Sequence, residues 1–309
     1  MGAFHVHRSI DIATPPEQVF EKVSDFNTWT TWSPWLTAEP DARVEVTPKS
    51  ASVGSVYSWN GDVVGAGEME HQALESPRCI ECALRIFKPF KSNSRVVFEL
   101  EPTADGTRIT WNMHGSLPFF LFFMKPMMMT IIGMAYERGL KMLKEWIETG
   151  TILSKTINHG IQPFDGIRMA GVRTRCVQSE IAANMERAFC ETLKQFENKG
   201  LPTDGLPMTV YHDFDMKSGA MDFTSGLTLS DSVELPSGLS TRSIPSGRAL
   251  TIEHLGKYEH LGNPWSAVHQ ISQYKRLKVR KGDGFEIYFN DPKTTPPAEL
   301  QTKIYLPLK

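Results

Sequence analysis

The sequence predicts an α+β protein of two domains, on three observations. Residues 1–150 run as a strand, a helix, several turn-separated strands and one long helix. A short polar joint follows at 151–161, and from residue 162 to 309 a strand–helix–strand–strand pattern is stated twice. The first half thus predicts an antiparallel sheet closed by its last helix, and the second a duplicated βαββ unit.

In the first half, Phe4, Val6, Arg8, Ile10 and Ile12 alternate with His5, His7, Ser9 and Asp11, the period of a strand with one mixed face. Thr14-Pro15-Pro16-Glu17 reads as a helix start, with Thr14 as N-cap and prolines in the first turn. Val19, Phe20 and Val23 face inward, and the helix exits into the tryptophan-rich run from Phe26 to Trp35. Strand-like stretches follow at 42–46, 55–59, 65–74, 79–87, 94–102 and 107–114, with Asp105-Gly106 as a hairpin turn. The last helical pattern passes through Met134, Tyr136, Leu140, Met142, Leu143, Trp146 and Ile147 and stops at Gly150.

The apolar run 117–136 is nearly long enough to span a bilayer. Lys125-Pro126 places a charge and a helix breaker inside it, and the pattern continues into an amphipathic stretch, so a helix packed over the sheet is expected and stable membrane insertion is not.

In the second half, a strand at 165–175 leads to a helix at 179–199 that carries Ile181, Met185, Ala188, Phe189, Leu193 and Phe196 at helical spacing, with Gly200 as its stop. Strands at 208–216 and 221–229 complete the first unit. The second unit has a strand at 246–255, a helix at about 264–277 and strands around Glu286 and Tyr305. Two such units can pack as pseudo-twofold halves with a groove between them.

Composition narrows the function. A net charge of -2 supplies no basic field for nucleic acid, and no polybasic tract for anionic lipid is evident. Four scattered cysteines do not make a disulfide framework, and with no cleavable signal a cytoplasmic location is expected. Cys79 and Cys82 have C-x-x-C spacing, but on a strand residues three apart point to opposite faces and no second pair completes a tetrahedral site, so neither metal nor cofactor is expected.

Glu286 stands out because it interrupts an apolar strand. Phe285, Ile287 and Phe289 share one face and Glu286 and Tyr288 the other, which leaves Glu286 either on a wetted face or in a pocket. In the first half, Trp59, Met69, His71, Trp111 and Met113 on strands, with Phe122, Met128 and Ile132 toward the closing helix, are candidates for a cavity wall, although aromatic and methionine side chains more commonly serve as plain core. His71 and His114 could transfer protons, although no carboxylate partner is identifiable by spacing.

The element order of residues 3–150, with Thr14-Pro15-Pro16-Glu17-Gln18-Val19-Phe20, Trp32-Ser33-Pro34-Trp35 and Tyr136 to Lys144, resembles the helix-grip fold of the START-related, SRPBCC or polyketide-cyclase-like superfamily. That resemblance implies a curved sheet gripping the long helix around a cavity for an apolar ligand, and transfers no catalytic motif. Residues 162–308 resemble GyrI-like effector-binding domains, the ligand modules of AraC-type and MerR-type regulators. The match is carried by Arg168-Met169-Ala170-Gly171-Val172, Val210-Tyr211, Asp222 to Leu227, Gly262-Asn263-Pro264-Trp265, Phe285 to Pro292 and Pro296 to Leu300.

This second resemblance implies that Glu286 lies in an inter-repeat pocket among Tyr211, Phe223, Trp265 and Tyr288, with Tyr258 as a further wall candidate. The expected function is a two-domain small-molecule binder for hydrophobic or cationic ligands, without a DNA-binding domain and with a protein partner left open. The alternative is a GyrI-like hydrolase of electrophilic small molecules in which Glu286 activates water.

Overall fold

Chain contacts divide the protein into two units, Met1–Ile152 and Leu153–Lys309. The computed structural model describes residues 2–117, 123–216, 218–234 and 236–309.

The first unit contains β1 (Gly2–Ile12), α1 (Pro16–Ser24), α2 (Trp29–Trp32), β2 (Arg43–Val46), β3 (Val56–Asn60), β4 (Ala66–Glu75), β5 (Cys79–Lys88), β6 (Ser92–Thr103), β7 (Gly106–Leu117) and α3 (Lys125–Thr149). The strands form one antiparallel sheet in the order β1-β7-β6-β5-β4-β3-β2. The alternation of β1 places Phe4, Val6 and Ile12 inward, where they meet Val19, Phe20 and Val23 of α1 and Tyr136, Leu140 and Leu143 of α3 in one core. Trp29 and Trp32 of the tryptophan-rich run enter that core against Phe98, and Trp111 of β7 stacks on Tyr136 with ring centroids 4.0 Å apart.

Gly139 explains how α3 comes so near. A Cβ there would sit 2.9 Å from the Trp111 ring and 3.1 Å from Pro34. α1 starts differently from the expected pattern. Its N-cap is Pro15, with no side-chain cap; Thr14 lies in the bend after β1, and its carbonyl accepts from Thr107 Oγ1. α3 begins only at Lys125, and among the described residues no helix is long and apolar enough to cross a membrane.

The second unit contains β8 (Ser154–Phe164), β9 (Ile167–Val177), α4 (Ile181–Lys199), β10 (Pro207–Asp215), β11 (Ala220–Leu229), β12 (Ser240–Ile244), β13 (Gly247–Gly256), α5 (Gly262–Tyr274), β14 (Gly284–Tyr288) and β15 (Gln301–Pro307). Its sheet order is β12-β9-β11-β10-β14-β15-β13-β8. The order reads the same from either edge once β9, β10 and β11 are matched with β13, β14 and β15. The two βαββ units therefore meet at the β10–β14 pair, and β12 and β8 occupy equivalent edges.

The edges differ from expectation. Residues 151–161 read as a linker, yet 154–164 are β8, antiparallel to β13. No residue of β8 is fully buried and a bulge interrupts its register near Gly160, so the alternation that would reveal a strand is absent. β12 escaped for a similar reason, having one buried residue, Ile244.

Candidate functional site

The central strand pair sets the geometry of the candidate site. Thr209 of β10 pairs with Glu286 of β14, and Tyr211 and Tyr288 each lie two residues further along their own strands, on the same face. The opposite face carries Met208, Val210, Phe285 and Ile287 in a separate apolar cluster. Parity thus commits Glu286 to one side of the sheet, and that side is not wet: Glu286 is 0% exposed.

Three side chains converge on this carboxylate. Tyr211 donates to Oε1 at 2.8 Å, Tyr288 donates to the same oxygen at 2.5 Å, and Trp265 Nε1 of α5 donates to Oε2 at 2.7 Å. Each repeat thus supplies one tyrosine, and the second repeat also supplies the acid and the indole. A buried charge needs such donors, because an unpaired one costs several kcal/mol.

Burial pushes the Glu286 carboxyl above the ordinary glutamate range, while the donors from Tyr288, Trp265 and Tyr211 pull it down; burial wins. Burial also raises the hydroxyls of Tyr211 and Tyr288 well above the usual tyrosine range, with the neighbouring carboxylate acting in the same direction. Both therefore remain donors to Glu286.

Rings complete the surroundings. Tyr211 meets Trp265 edge-on at 4.8 Å and Phe223 at 6.1 Å, and Tyr258 meets Tyr288 edge-on at 5.4 Å. Glu286, Tyr288 and Phe223 are buried, whereas Tyr211, Trp265 and Tyr258 are half-buried and form a rim. Burial raises Tyr258 to about 12. The structure thus gathers the five other C-terminal residues singled out from the sequence around the Glu286 carboxylate.

Two wall residues were not singled out as such. Phe189 of α4 meets Tyr288 edge-on at 5.7 Å, and Met185 Sδ lies 3.9 Å from the Tyr288 hydroxyl. Their i, i+4 spacing on the apolar stripe of α4 was the available signal. Thr209 became visible only through strand register.

The N-terminal candidates are packed together in a different way. His71 is fully buried, its ring stacked on Phe26 at 3.9 Å; one ring nitrogen pairs with the Ser24 carbonyl at 2.8 Å and the other with Cys82 Sγ at 3.4 Å. Burial lowers its pKa, which keeps the ring neutral. Trp111 is core, and Trp59 is half-buried at the core's margin. Met69 and Met113 also belong to that core, with Met128 and Ile132 packed against it, and Phe122 lies outside the described residues. His114 is instead exposed on the outer face, stacked on His5 at 4.2 Å. Cys79 and Cys82 lie three residues apart on β5, as the spacing argument requires, with Cys82 buried.

Comparison with known proteins matches each half separately. Residues 3–148 match the family described as polyketide cyclase / dehydrase and lipid transport, and residues 159–309 match the GyrI-like small molecule binding domain. The chain joins a polyketide cyclase-like domain to a GyrI-like domain. Among curated proteins, the uncharacterized Rv2574 of Mycobacterium tuberculosis is 26% identical over 147 residues, 45% of this chain and 82% of that protein. Among solved structures, the EcmrR C-terminal domain is similar at 18% identity and a TM-score of 0.39, covering 51% of this chain and 99% of that one. Protein CV1439 from Chromobacterium violaceum is similar at 18% identity and a TM-score of 0.36, covering 48% and 99%. In the GyrI-like domain of this chain, Glu286 is thus the buried charge at the meeting line of the two repeats.

Proposed function

We propose that this protein binds small molecules, and that the groove over Glu286 takes cationic or flat hydrophobic ligands. The observation that carries this is a fully buried carboxylate ringed by Tyr211, Trp265, Tyr258 and Tyr288. Ring faces attract cations and stack on planar groups, and one carboxylate supplies the countercharge that rings cannot. The half-buried rim rings are the surfaces a ligand meets first. The polyketide cyclase-like half serves as a second module for apolar ligands, in keeping with the family description it matches.

The test is a fluorescence titration of the whole chain with a cationic dye and with a neutral dye of similar shape. Glu286→Gln should weaken the cationic dye about five- to 160-fold, ~1–3 kcal/mol, and the neutral dye less. Equal loss for both dyes, or none for either, would refute the countercharge role.

One observation also favours a hydrolytic reading. A carboxyl whose hold on a proton is raised by burial suits a general base. In that case Glu286→Gln should abolish turnover of an electrophilic substrate while preserving its binding.

A further inference from the structure

One end of the N-terminal sheet presents aromatic rings to solvent among lysines. Phe90 is 81% exposed and Phe123 is 67% exposed, with Phe87 and Ile131 each close to half. Large apolar side chains grouped in the open mark a surface that something covers.

Strand register brings them to the same end. Ile86 pairs with Ser92 across the β5–β6 turn, Ser94 pairs with Gly115, and Gly115 pairs with Phe4. Lys125 Nζ donates to the Ala3 carbonyl at 2.7 Å, which ties the start of α3 to that end. On α3, Met124, Met127 and Ile131 follow at spacings of three and four, so they share a face, and all are exposed. Met128, Met129 and Ile132 pack against the core instead.

The turn and the helix start at this end carry lysines. Segments 86–93 and 123–136 contain Lys88, Lys91 and Lys125 and no acid, and Lys88 and Lys91 are exposed. The neighbouring β3–β4 turn adds Asp62 and holds the Glu39 carboxylate, which accepts from the Asp62, Val63 and Val64 amides. Asp11, Glu101 and Asp105 belong to the opposite end, where Asp11 and Glu101 both pair in register with Arg108.

We propose that this end docks on the surface of an anionic lipid bilayer, with Phe90 and Phe123 entering the headgroup layer and Lys88, Lys91 and Lys125 facing lipid phosphates. Phenylalanines set between lysines are the side-chain chemistry of that interface, where rings gain from the acyl boundary and ammonium groups from the negative surface. This surface is independent of Glu286.

The experiment is cosedimentation of the full chain with phosphatidylcholine vesicles, alone or containing about 30% phosphatidylserine. Binding should require phosphatidylserine and fall as salt rises. Lys88→Gln with Lys91→Gln should weaken binding about fivefold per lysine. Phe90→Ser with Phe123→Ser should weaken it about tenfold or more. Phe90→Ser alone changes only an exposed turn, so it serves if the double variant does not fold. Excess soluble glycerophosphoserine should leave binding intact. No binding at low salt, equal binding to both vesicle types, unchanged binding by Phe90→Ser, or full competition by the soluble headgroup would each overturn the proposal.

Discussion

Glu286 holds a proton more tightly in the folded chain than in the unfolded one, because burial penalises its charged form more than its three donors favour it. Linkage fixes the sign of the consequence. A raised carboxyl contributes stability that is complete below the ordinary value near 4.5 and is lost as pH rises through the folded value. Relative to Glu286→Gln, the wild-type chain should therefore lose stability as pH climbs above about 4.5, and denaturant midpoints of the two proteins across that range will show it. The amide replacement carries a constant penalty, since its NH2 must face one of the donors, but that penalty does not vary with pH. The alternation of 285–289 made the shared face of Glu286 and Tyr288 legible in the sequence. It did not decide between water and burial, because that depends on Trp265 from α5 and Tyr211 from the other repeat, residues brought close only by the fold.

At the scale of elements, α4 is pinned to the sheet through Thr192. This fully buried hydroxyl donates to the Ser225 carbonyl at 3.1 Å and accepts from the Val172 amide at 3.2 Å. It does so beside the Gly171–Gly226 pair, where a Cβ on either residue would approach the facing backbone to 2.2 Å or less. Thr192→Val keeps the shape and removes the partner of the buried Ser225 carbonyl and of the half-buried Val172 amide. It should cost about 2 to 4 kcal/mol, read from the urea midpoint of the chain. Elements with a strong apolar stripe or run, such as α1, α3, α4 and β14, could be read from the sequence. β8 and β12 could not, because edge strands bury few side chains and so carry little periodicity.

For the whole molecule, the position of β8 decides where the chain can be divided. A fragment of residues 153–309 keeps the strand that covers β13, and it should unfold cooperatively on its own. A fragment beginning at 162 loses most of β8, together with the Ser154 hydroxyl that meets His254 at 3.1 Å, and leaves the backbone of β13 open along that edge. Its melting temperature should be lower, and differential scanning of the two fragments measures the gap. The duplication itself was legible as a pattern said twice, but its asymmetry was not. The pair at the centre of the sheet is Thr209 against Glu286, a hydroxyl facing an acid, while the flanking tyrosines match across the repeats. On the proposed reading, a guest lying over that line meets one tyrosine from each repeat, and the acid and the indole on only one side. On the proposed reading the repeat geometry offers two poses related by half a turn, and the unmatched acid and indole make them unequal, so that even a guest with its own twofold symmetry would sit off centre, drawn toward the second repeat.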